Sequence, residues 1–82
     1  MTRRDQQIEV LTYSFAEDFL SGWTFEEIAE RNASGFTLDL SSSDTGEASR
    51  DTIVRYEGVV LSQAELQAAW ARAERIALGE EV

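Results

Sequence analysis

The apolar residues of this 82-residue chain change period twice, and that switch limits the folds open to it more than any other feature. Between Asp5 and Ser21, the residues Ile8, Leu11, Phe15 and Phe19 recur every three or four positions, the stripe of an amphipathic helix. Gly22 is placed to end it. A second helix start follows at once in Trp23-Thr24-Phe25-Glu26-Glu27-Ile28. Thr24 is the N-cap, Glu27 reaches back as the third helical residue, and Trp23 and Ile28 occupy the staple positions. This helix is expected to end near Asn32.

From Phe36 to Leu40 the apolar residues alternate with polar ones, as in a half-buried strand. Residues 41–51 carry no apolar period and read as an exposed loop. Ile53-Val54-Arg55-Tyr56 and Val59-Val60-Leu61 are β-prone runs on either side of Glu57-Gly58, which reads as a tight hairpin turn. The helical period then returns. Ser62-Gln63-Ala64-Glu65 forms a second capping box, and Leu66, Ala69, Trp70, Ala73 and Ala77 share one face before Gly79. The expected fold is therefore α+β in the order ααβββα: two N-terminal helices, a small antiparallel three-stranded sheet, and a C-terminal helix packed on the sheet. It forms one acidic domain over 1–82, with residues 80–82 as a tail.

Composition removes most chemistry. The chain has no Cys, so no disulfide or thiolate metal site, and no His, the commonest metal ligand and general base. It also has no Pro, and all seven basic residues are Arg. Asp44-Thr45-Gly46 has the letters of an aspartic-protease triplet, but follows Ser41-Ser42-Ser43 rather than an apolar strand, and reads as a solvated turn. Asp39, Asp44, Glu47 and Asp51 do not match the spacing of an EF-hand calcium loop. No phosphate-binding glycine loop occurs. The expectation is a non-enzymatic protein with no cofactor, no metal site and no catalytic residue. Asn32-Ala33-Ser34 spells a glycosylation sequon by coincidence. No apolar run is long enough for a membrane span and the N-terminus lacks a signal-peptide core, so a cytoplasmic protein is expected, or one in the host cytoplasm if phage-encoded.

Sixteen acidic residues against seven basic give a net charge of -9. Direct nucleic-acid binding is disfavoured, because phosphate neutralisation supplies most of that affinity. The charge is uneven: residues 1–51 hold -7 of the -9, whereas residues 52–79 balance. Glu26 and Glu27 sit where a helix dipole favours anions, but Glu17 and Asp18 lie at the opposite, unfavourable end of their helix. Glu26 and Glu30, four apart, repel. Acids placed against local preference point to a partner-binding surface of Glu17, Asp18, Glu26, Glu30, Asp39, Asp44 and Glu47. The partner class is a basic protein surface, such as the nucleic-acid-binding groove of another protein or complex. In size, acidity and missing chemistry the chain resembles the DNA-mimic and anti-CRISPR regulators and inhibitors of phages and mobile elements.

Two other functions fit the residues. The Ala-rich C-terminal helix and the hairpin edge offer apolar surfaces for self-association, so a homodimeric assembly protein is the alternative. Separately, Thr24-Phe25-Glu26-Glu27-Ile28-Ala29-Glu30-Arg31-Asn32 resembles the first helix of a helix-turn-helix, which implies a degenerate regulator of that kind. The following segment departs from that pattern, since Phe36–Leu40 alternates with period two. Trp23 and Trp70 are expected in the core, and Val10, roughly opposite the first helix's stripe, with Tyr13 and Leu20 to one side of it, are candidates for a contact surface.

Overall fold

A computed structural model describes residues 2–41 and 53–80. They form helix α1 (Arg3–Leu20), helix α2 (Phe25–Ser34), strand β1 (Phe36–Ser41), strand β2 (Ile53–Val59) and helix α3 (Gln63–Ala77). The mixed α+β class matches expectation, but the sheet has two strands among the described residues rather than three.

All three helices open on capping boxes: Thr2 with Asp5, Thr24 with Glu27, and Ser62 with Glu65. Each satisfies amide groups that the first helical turn leaves without partners. The Thr2 box starts α1 ahead of the apolar stripe, at Arg3 rather than Asp5. At its other end, the Trp23 N–H donates to the Asp18 carbonyl at 3.0 Å and the Gly22 N–H to the Phe19 carbonyl at 3.1 Å, a Schellman closure. The same pattern ends α3 at Gly79 and Glu80. Helix α2 runs to Ser34, past the expected stop at Asn32.

The expected hairpin at Glu57-Gly58 is instead an irregularity within one strand. Leu38 pairs with Tyr56 and Phe36 with Val59, so Glu57 and Gly58 together face the single residue Thr37. This is a β-bulge, and Gly58 supplies its positive φ of 66°. The sequence requirement at Gly58 was legible, but a bulge satisfies it as well as a turn does. Gly35 makes the bulge compact: a Cβ there would lie 2.8 Å from the Gly58 Cα. Val60 and Leu61 then leave the sheet. Leu61 finds its partner in the Asn32 side chain, which accepts from the Leu61 N–H at 2.8 Å and donates to its carbonyl at 2.9 Å. That paired amide holds the end of α2 against the start of α3 and stands where a third strand was expected.

Helix α3 packs chiefly along α1 rather than on the sheet. Ala69 and Ala73 are buried on its inner face, where small side chains permit close approach. Trp70 joins the layers, with Phe15, Phe19 and Phe25 ring centroids 6.3, 5.9 and 6.4 Å away. Phe15 extends the cluster to Phe36 of β1 at 5.4 Å. These separations suit tilted and edge-on aromatic contacts. Leu38 and Leu40 line the inner face of β1, and Ile28 enters the core from α2. Trp70 thus occupies the core as expected. Trp23 is only half-buried, at its margin, and Val10 packs against the core rather than projecting from it. Tyr13 and Leu20 are exposed.

Candidate functional site

The end of α1 and the length of α2 enclose a cleft of about 680 Å³ together with the start of β1. Leu11, Phe15, Trp23 and Phe36 supply its apolar lining, and Asp18, Glu27, Glu30 and Arg31 its charge. Glu27, Glu30, Arg31 and Ser34 reach it together because spacings of three and four place them on one side of α2.

The charged groups differ in how committed they are. Glu27 is held by its cap, accepting from the Thr24 N–H and hydroxyl, each at 3.1 Å. Arg31 lies 4.6 Å over the Trp23 ring, a cation–π contact that fixes it at one wall. Asp18 is partly buried, and that burial pushes its carboxyl above the usual range. The attraction of Arg31 opposes the shift, and Glu17 adds to it. Glu17, Glu26 and Glu30 are exposed and make no ion pair among the described residues.

Elsewhere, three acids are matched by arginines. Glu65 meets Arg4 at 2.7 Å, Glu9 meets Arg72 at 3.1 Å, and Asp39 meets Arg55 at 3.0 Å. The Arg4 hydrogen bond, with the Ser62 amide, lowers the Glu65 carboxyl to about 2. Arg4 also donates to the Val60 carbonyl at 2.9 Å, tying the start of α1 to the β2–α3 junction.

Of the seven acids expected at the partner surface, Glu17, Asp18, Glu26 and Glu30 therefore lie on α1 and α2 without a salt bridge among the described residues, although the charge of Arg31 acts on Asp18. Asp39 stands on the solvent face of the sheet, joined to Arg55 in the neighbouring strand, and does not line the cleft. Asp44 and Glu47 lie outside the described residues, as does the rest of the 42–52 segment with its Asp44-Thr45-Gly46 triplet. Sequence reasoning assigned Glu27 to capping alone and passed over Arg31. The spacing of 27, 30, 31 and 34 was the available signal.

The cleft lining contains no His or Cys, and its hydroxyls are those of Ser14, Ser34 and Thr37. Among the described residues, no group of three or more acids is arranged to hold a metal. No helix there is long and apolar enough to cross a membrane. After Gly35 the chain enters β1, so the second helix of a helix-turn-helix does not follow α2. Compared with family models, curated proteins and solved structures, the chain matches none.

Proposed function

We propose that this chain is a non-enzymatic binding protein that docks its α1–α2 end onto a basic protein surface. The observation that carries this reading is the sorting of its acids. Glu9, Asp39 and Glu65 are neutralised by arginines, whereas Asp18 and Glu30 line a partly apolar cleft and Glu17 and Glu26, on the same two helices, are exposed and make no salt bridge among the described residues. Exposed carboxylates steer a cationic partner, and the apolar lining accepts the aliphatic stem of an entering Arg or Lys. A groove that ordinarily binds nucleic-acid phosphates presents such cations in a row, which makes regulation or inhibition by occupying that groove the favoured outcome.

The test is affinity capture from cells of the source organism with the wild-type chain and with E17Q/D18N/E26Q/E30Q, each at low and high salt. The expected result is a basic, nucleic-acid-binding protein retained by the wild type, lost with the variant, and released by salt. Equal retention by both chains overturns the proposal.

A further inference from the structure

Among the described residues the sheet has two strands, so β2 presents an unpaired edge, and along Ile53–Val59 only Val59 is buried and only Tyr56 is half-buried. Ile53 is 64% exposed, and Val54 remains 40% exposed although its partner Leu40 is fully buried. The opposite strand is better covered, because α1 packs on β1 and Phe36 and Thr37 border the cleft. Natural edge strands are commonly protected by Pro or Lys, and this chain contains neither.

We propose that β2 pairs antiparallel with β2 of a second copy, about a two-fold axis normal to the sheet and centred on Tyr56. This axis keeps both cores on one side and makes a continuous four-stranded sheet. Charge selects the register. Centring on Arg55 would place two guanidinium groups opposite one another. Centring on Tyr56 instead places Arg55 opposite Glu57 of the second copy, twice by symmetry, with the two Tyr56 rings adjacent. Asp39, already bonded to Arg55 at 3.0 Å, holds the guanidinium on that face. The bulge at Glu57-Gly58 ends regular pairing on one side, so the contact is short, and a two-fold pair uses the β2 edge of each copy and leaves β1 outermost. This contact lies on β2 and is independent of the acidic α1–α2 surface.

Sedimentation equilibrium over a concentration series tests it, with circular dichroism confirming that each variant is folded. The wild type is expected to show a reversible monomer–dimer equilibrium, and Glu57→Arg, which sets Arg against Arg, to weaken it about tenfold or more. Arg55→Glu alone is expected to weaken it likewise. An equimolar mixture of the two variants restores Glu–Arg pairs at both positions and is expected to recover a heterodimer. A wild type that stays monomeric throughout, or an E57R chain that associates as tightly as wild type, overturns the proposal. If Arg55→Glu fails to fold, the comparison of E57R with wild type decides.

Discussion

Neutralising the end of α1 should make the protein more stable and a poorer binder. Glu17 and Asp18 lie in the last turn of α1, which contains no basic residue. The carbonyl end of the helix dipole disfavours a carboxylate there by about 0.3–1 kcal/mol. Neither side chain caps a helix, and Asp18 carries a further cost from burial, seen in its raised pKa. Because Glu17 is exposed and Asp18 only partly buried, solvent screening keeps the combined effect small. Glu17→Gln/Asp18→Asn is expected to gain about 0.5–1.5 kcal/mol at neutral pH. For a domain of this size that corresponds to a melting point higher by roughly 2–10 °C.

The pH dependence has a definite sign. A carboxyl whose folded pKa is raised favours the folded state when protonated, so the ionised wild-type Asp18 destabilises above its folded pKa. The variant's advantage from this residue should be full at neutral pH and vanish as pH falls below the unfolded value of 3.8. Thermal melts followed by circular dichroism across this range measure it. A loss of stability at neutral pH would refute the argument that these acids oppose the fold. A gain accompanied by weaker partner binding is the pattern of residues retained for function.

The packing makes three further predictions. Glu65→Gln removes the charge from the Arg4 pair and weakens the α3 capping box, and should cost about 1–2 kcal/mol at neutral pH. With the folded carboxyl at about 2, that difference is present above 4.5 and disappears as pH falls through 2, which urea titrations at several pH values can follow. Asn32→Ala leaves the Leu61 amide and carbonyl without their partners and should lower stability by about 1–3 kcal/mol in urea unfolding, whereas Asn32→Asp keeps only the acceptor for the Leu61 N–H. Gly35→Ala forces a side chain into a positive-φ site against the Gly58 backbone at 2.8 Å, and its urea midpoint should fall by more than that of Gly79→Ala, where nothing lies within 4 Å of the new Cβ.

The helices were legible because each combines an apolar stripe with its own punctuation. Thr24 and Glu27, Ser62 and Glu65, Gly22 and Gly79 mark starts and stops by local hydrogen bonding, which a linear reading captures. The sheet was less legible because its decisive contacts are distant. Glu57-Gly58 suits a turn or a bulge equally, and only the pairing of Val59 with Phe36 selects the bulge. Nothing near Asn32 announces that its carboxamide will hold Leu61, 29 positions away. The site divides the same way. Glu17, Asp18, Glu26 and Glu30 stand out from their positions on their own helices, whereas the pairing of Asp39 with Arg55 depends on strand register. A running total of charge therefore counts Asp39 with the unmatched acids, although the fold neutralises it.

The central claim is that the unmatched acids of α1 and α2 form the recognition surface. An amide NMR titration of the full chain with an oligo-arginine peptide tests this most directly. Shifts are expected to concentrate at Glu17, Asp18, Glu26, Glu30 and the cleft residues Trp23 and Arg31, with affinity falling steeply as salt is raised. Shifts centred on Asp39, Glu9 or Glu65, or spread evenly over the molecule, would contradict the claim.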